Sequence, residues 1–212
     1  MQATRLIAIR HGETAWNVDT RIQGHLDIPL NAMGRWQAQR AAQALAGEAI
    51  TAVYASDLSR AFETAGAVAA VAGVEVIPEP GLRERHFGVF QGRTFAEIEA
   101  ESPEQALRWR KRDPDYASEG GESLNIFRDR VVGTVARLAA RHPDELIVLV
   151  AHGGVMDVLY RAATGQGLQA PRTWLLGNAA INRLLWTPDA LTLIGWSDTG
   201  HLDNAAIDES TA

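Results

Sequence analysis

Leu146-Ile147-Val148-Leu149-Val150-Ala151-His152-Gly153-Gly154 is the stretch on which the fold turns. Its leading apolar residues offer water no polar side, so they read as a strand buried on both faces, the habit of a parallel sheet covered by helices. The strand empties abruptly into a loop that begins with a histidine and two glycines. A second run behaves in the same way: Leu6-Ile7-Ala8-Ile9 stops at Arg10-His11-Gly12. In open sheets of this kind ligands bind beyond the carboxyl ends of the strands, which is where both histidines stand.

Working outward, strands and helices alternate. Asn31 is placed to cap a helix that reaches about Ala46, with Gly47 at its end. Ala52 to Ala55 is a short strand, and Ser56 or Asp57 should cap the Ala-rich helix that stops near Gly73. Val74 to Ile77 is a third strand, closed by Pro78 and Pro80. Helical sequence around Phe95 to Arg112 is interrupted by Pro103 and ended by Asp113-Pro114. After the turn at Glu119 to Ser123, Leu124, Phe127, Val131, Val135 and Leu138 recur at helical spacing. A helix follows Gly154, then two hairpin-like strands, Ile181 to Trp186 and Leu191 to Trp196. The expected fold is α/β: a single-domain three-layer sandwich over residues 1–200, with a mostly parallel sheet and helices on both faces. Residues 201–212 read as a short polar tail, frayed from Leu202 onward.

Composition narrows the function. The chain has 212 residues, 46% hydrophobic and 22% charged, the balance of an ordinary globular domain. A net charge of −6 argues against nucleic acid or an anionic membrane as partner, since both need a positive footprint. No cysteine is present, which excludes disulfides, thiolate metal sites and cysteine nucleophiles. No carboxylate or histidine cluster has metal-ligand spacing, so no metal is expected. The N-terminus runs straight into a strand without a signal-peptide h-region, so a cytoplasmic location is expected.

His11 is flanked by a guanidinium that can grip phosphate in bidentate fashion and by a glycine that lets backbone approach a ligand. Arg60 lies near a helix start, where oriented N–H groups favour an anion. Glu84 is a carboxylate in the basic loop Leu82-Arg83-Glu84-Arg85-His86-Phe87-Gly88. Each has a plainer alternative: a solvated strand-end histidine, a solvated helix arginine, an ion pair with Arg83 or Arg85.

Taken together, five segments in order resemble the histidine phosphatase superfamily, the cofactor-dependent phosphoglycerate mutase-like proteins. They are Arg10-His11-Gly12-Glu13-Thr14 with Trp16-Asn17 and Gln23-Gly24; Ser56-Asp57-Leu58-Ser59-Arg60-Ala61 with Thr64; Leu82-Arg83-Glu84 with Phe87-Gly88; Gly120-Gly121-Glu122-Ser123; and Ala151-His152-Gly153-Gly154. The resemblance implies that His11 is the nucleophile, that Arg10, Arg60 and His152 clasp the phosphoryl oxygens, and that Glu84 is the proton donor and then the base for water. It sets Asn17, Gln23, Gly24, Gly153 and Arg85 against the substrate, with Arg83 and Arg85 turned outward or one of them serving the substrate's far end.

The implied activity is hydrolysis of a small phosphorylated metabolite without a cofactor. A mutase, which would need 2,3-bisphosphoglycerate as primer, is the alternative, and a non-catalytic phosphate-binding module the remote one. The short span from Gly92 to Gly121 and Gly154 after His152-Gly153 favour the phosphatase. Arg85-His86 and the basic run Arg108-Trp109-Arg110-Lys111-Arg112 lean towards the mutase, although that run also reads as a solvated helix end. Trp36, Trp174, Trp186 and Trp196 read as core or interface aromatics. Trp16 and Phe87 lie within site motifs, and His25, His86, His142 and His201 have no evident partner. Oligomeric state, monomer or homodimer, is left open.

Overall fold

In the computed structural model, which describes residues 3–206, the two apolar runs lie side by side at the centre of one sheet. In chain order the elements are β1 (Thr4–Arg10), α1 (Ala15–Val18), α2 (Ala32–Ala44), β2 (Ile50–Ala55), α3 (Ser59–Ala72), β3 (Val76–Pro78), α4 (Phe95–Glu101), α5 (Pro103–Arg110), α6 (Leu124–Ala139), β4 (Leu146–Ala151), α7 (Gly153–Thr164), β5 (Ile181–Trp186) and β6 (Leu191–Asp198). The sheet order is β3-β2-β4-β1-β5-β6, with β3, β2, β4 and β1 parallel and the β5–β6 hairpin added antiparallel to β1.

Both central strands are buried on both faces, and their side chains divide between two cores by the period of two that a strand imposes. Leu6, Ala8, Ile147, Leu149 and Ala151 face α6 and α7, meeting Phe127, Val131, Leu138, Val155 and Leu159. Ile7, Ile9, Val148 and Val150 face α2 and α3, meeting Ala42, Leu45, Ala61, Ala65 and Val68. That makes three layers. Alanines on α2 and α3 let these helices sit close to the sheet, where larger side chains would hold them off. A third, smaller cluster of Phe90, Ile98, Ala106 and Tyr116 packs with Phe87, Phe95 and Trp109 under α4 and α5.

Local chemistry differs from expectation at two helix starts. Asn31 caps α2 through Gly34 N–H (2.7 Å), as read from sequence. At α3, however, neither Ser56 nor Asp57 is the cap; Leu58 holds that position without a side-chain bond. Both side chains are committed elsewhere: Ser56 Oγ to His152 Nε2 (2.8 Å) and the Asp57 carboxylate to the Arg83 guanidinium (2.6 and 2.5 Å). Asp27, from a distant loop, accepts from Ser59 N–H (2.8 Å) instead. At the far end, Gly200–Ala206 forms a 3₁₀ segment where a frayed tail was expected, with Arg40 donating to the His201 carbonyl (2.9 Å). Residues 207–212 of that tail lie outside the described residues. No helix among the described residues is long and apolar enough to cross a membrane.

Candidate active site

Parallel register decides where the two histidines meet. Arg10 on β1 pairs with Ala151 on β4, and His11 N–H donates to the Ala151 carbonyl (2.9 Å). The next residue on each strand is a histidine, so the rings come out side by side, 5.1 Å apart and edge to face. Both are buried, His11 at 3% and His152 at 0% exposure.

Hydrogen bonding selects the tautomer of His11. His11 Nδ1 lies 2.7 Å from the Gly12 carbonyl, which can only accept, so Nδ1 carries the proton and Nε2 keeps a free lone pair. His152 Nε2 faces Ser56 Oγ (2.8 Å), which also accepts from Leu58 N–H (3.4 Å). His152 Nδ1 is enclosed without a protein partner.

Two guanidiniums converge on these rings. Arg60, at 1% exposure, donates to the carbonyls of Gly24 (2.8 Å) and Leu26 (2.9 Å), and Arg10 donates to the Leu176 carbonyl. Neither forms an ion pair among the described residues, and the Nε of each is enclosed without a partner. Burial lowers Arg60 to about 10, partly opposed by the Glu84 charge, so it remains a cation at neutral pH; burial pushes Arg10 down as well. An uncompensated buried charge is costly. A phosphate would supply the missing counter-charge. The surrounding pocket of about 180 Å³ is lined by Arg10, His11, Asn17, Gln23, Arg60 and Glu84.

Burial, and then the charges of Arg10 and Arg60, hold His11 well below 6.5; burial and then Arg60 do the same for His152. Below about pH 6.5 the unfolded chain therefore takes up protons that the folded site refuses. Stability should fall as pH drops through that range, by at most about 1.4 kcal/mol per pH unit for each ring. Denaturation between pH 7.5 and 5.5 checks this: His11→Ala should show a shallower loss than the wild type, and equal slopes would contradict it.

The remaining expected residues are found with some changes of role. Asn17 Oδ1 caps Thr14 N–H (3.0 Å), leaving its amide nitrogen beside the pocket. Gln23 lines the pocket with an enclosed, unpartnered Oε1. Gly24 has φ +52°, and a Cβ there would stand 2.2 Å from Gln91 Oε1, so glycine suits the turn whose carbonyl seats Arg60. Gly153 opens α7 against Arg10. Glu84 accepts from Arg85 N–H (2.8 Å) and Gly154 N–H (2.9 Å).

The loop arginines divide. Arg83 turns away to Asp57, as expected. Arg85 is buried, and its guanidinium donates to the carbonyls of Glu122 (2.8 Å) and Tyr116 (2.9 Å), which braces the loop. The basic run also divides. Arg108 and Arg110 pair with Asp113 and Glu99 at the surface, the solvated helix end foreseen. Arg112, in the left-handed region at φ +51°, turns inward to Asp157 (2.7 Å). It lines a second compartment of about 460 Å³ that shares Arg10, Glu84, Phe87 and Gly153 with the first. Trp174, read as a core or interface aromatic, is buried, stacks on Tyr160 at 4.0 Å and also lines that compartment. The unassigned histidines find structural partners: His25 bonds the Glu84 carbonyl, and His142 bonds Tyr54 and Glu145.

Two supporting residues escaped sequence reading. Asn178 donates to the His11 carbonyl (2.9 Å) from the turn before β5. Arg130, on the polar side of α6, donates to the carbonyls of Gly81 (3.0 Å), Arg83 (2.9 Å) and Glu84 (3.1 Å) while paired with Glu122 (2.7 Å). The Gly120-Gly121-Glu122-Ser123 motif thus serves the site indirectly: Glu122 holds the arginine that holds the Glu84 loop. Among the described residues no group of three or more metal-ligating side chains could hold a metal ion.

Comparison with known proteins agrees with this geometry. The family model for the histidine phosphatase superfamily (branch 1) matches residues 6–199. Phosphoglycerate mutase-like protein 4 of Arabidopsis thaliana is 40% identical over 210 residues, covering 97% of this chain and 90% of its own. Glucosyl-3-phosphoglycerate phosphatase of Mycobacterium tuberculosis is 38% identical over 199 residues, with 89% of each chain covered. A phosphoserine phosphatase from Entamoeba histolytica, solved with 3-phosphoglyceric acid, superposes with a TM-score of 0.82 at 29% identity, covering 94% of this chain and 99% of that one. On this span and these identities the chain belongs to the histidine phosphatase superfamily, branch 1, and is a phosphomonoester-hydrolysing enzyme of that family.

Proposed function

We propose that the protein hydrolyses a small phosphomonoester by way of a phosphohistidine on His11 Nε2. The observation that carries this reading is the pair of buried guanidiniums, Arg10 and Arg60, left without carboxylates beside a histidine whose Nε2 lone pair is free. Nε2 attacks phosphorus, and the N–P bond forms as the bond to the leaving oxygen breaks. Arg10, Arg60 and His152 neutralise the charge on the equatorial oxygens. Glu84 gives its proton to the leaving oxygen, then takes one from the water that attacks the phosphoenzyme, which returns His11 to neutral and releases phosphate.

The leaving alcohol occupies the larger compartment. Arg85, Arg112 and Arg172 line it, and Arg172 pairs with no carboxylate among the described residues. This favours an alcohol that itself carries negative charge, in keeping with the phosphoglycerate and phosphoserine named for relatives. The cycle calls for no resident cofactor. The inward Arg112 favours a mutase, and 2,3-bisphosphoglycerate would then be the primer. Isotope transfer from labelled bisphosphoglycerate to 3-phosphoglycerate faster than release of free phosphate would decide for it.

Vanadate or phosphate should bind in the smaller pocket and raise the melting temperature in a concentration-dependent way. Arg60→Ala should weaken that binding by about 10-fold or more, the worth of a charge-assisted hydrogen bond. An anion that binds the variant and the wild type equally would remove Arg60 from the site.

A further inference from the structure

Glu84 is held from an unexpected side. Its Oε2 accepts from Gly154 N–H at 2.9 Å, and a Cβ built on residue 154 would stand 2.2 Å from Oε1 and 3.0 Å from Cδ of the same carboxyl. The next nearest atom to that Cβ is Phe127 Cε1, at 3.1 Å. No other residue type can stand at the second position of α7 while the carboxyl keeps its place.

From this we propose that Gly154 is a positioning residue, which fixes where the acid–base group stands and so sets the range of leaving groups the enzyme can expel. The proposal rests on the hydrolase reading above and deepens it. The backbone N–H of Gly154 and that of Arg85 grip opposite oxygens of Glu84, and the hydrogen at Cα leaves the space one oxygen fills. With alanine at 154 the carboxyl must retreat by about 1 Å to reach ordinary contact. The atom that gives way is the far end of a flexible side chain, not backbone. Gly154 also lies within a helix without a left-handed φ, so alanine suits its backbone. The cost therefore falls on proton transfer and spares the fold. Alcohols that cannot leave without a proton should suffer. Leaving groups that depart as stable anions should not.

The test compares Gly154→Ala with the wild type by burst kinetics on an alkyl phosphate and on p-nitrophenyl phosphate. The alkyl burst should slow by about 10- to 10²-fold, the usual cost of a misplacement of this size, and the aryl burst by less than about threefold. The melting temperature should stay the same or rise. In a Glu84→Gln background, Gly154→Ala should cost nothing further on the alkyl substrate, because the two changes act through one carboxyl. Equal losses on both substrates, losses that multiply in the double variant, or a Gly154→Ala protein that does not fold would each overturn the proposal. A wild type that forms no phosphoenzyme at all would remove the hydrolase reading and this proposal with it, an outcome distinct from an alkyl-to-aryl ratio that fails to change.

Discussion

His11→Ala should lose turnover by about 10⁴-fold or more, the scale on which removing a covalent nucleophile is felt, and keep its fold. The side chain makes one hydrogen bond, to the carbonyl of the residue that follows it. The strand that presents it is held by its backbone pairing to β4 and β5, which the substitution leaves intact. Nothing nearby can replace it. The other ring at the site, His152, is engaged with Ser56 through its Nε2 and is fully buried. Incubation with a radioactive phosphate ester should give rapid label on the wild type, labile to acid and stable to base, and none on the variant. Label that survived in His11→Ala would place the nucleophile elsewhere.

Glu84→Gln carries the second large effect. A positioned general acid is worth about 10²–10⁴-fold, so an alkyl phosphate should slow by that factor in the phosphorylation step. With p-nitrophenyl phosphate, whose leaving group hardly needs a proton, the burst should slow far less. Steady-state turnover is the wrong readout, because in the proposed cycle water attack on the phosphoenzyme uses the same carboxyl. Glutamine keeps acceptance from Arg85 N–H or Gly154 N–H through its carbonyl, so the loop should hold its course. Equal burst losses on the two substrates would mean that Glu84 orients phosphate and moves no proton.

Much of this site was legible because two of its residues are ends of strands. An apolar run that stops at His-Gly announces both a strand and its exit, and two such runs in one sheet place their exits together once the strands are neighbours. The motif around Ser56 was legible as a site but misread as a cap. Sequence shows that Ser56 and Asp57 precede a helix, and local preference then favours capping; it does not show that His152 and Arg83 compete for those side chains from 96 and 26 residues away. Arg112 was hidden inside a run of like residues, because periodicity cannot tell which of several adjacent arginines leaves the helix in a left-handed turn. Arg130 was hidden by the opposite effect: a charged residue on the polar side of an amphipathic helix is the commonest thing such a helix contains. Asn178 is a single polar residue in a short turn, and its link to His11 spans 167 positions.

The two halves of the chemistry rest on supports of unequal stiffness. His11 and His152 are carried by adjacent strands whose spacing is set by the sheet itself. Glu84 is carried by a loop, and its coordinates depend on Arg130, Glu122, Arg85 and one glycine. Substitutions around that loop can redraw the outer compartment and shift the acid without altering the distance between the rings. In the proposed mechanism, then, the choice of leaving alcohol and the centre of phosphoryl transfer are held by separate parts of the fold.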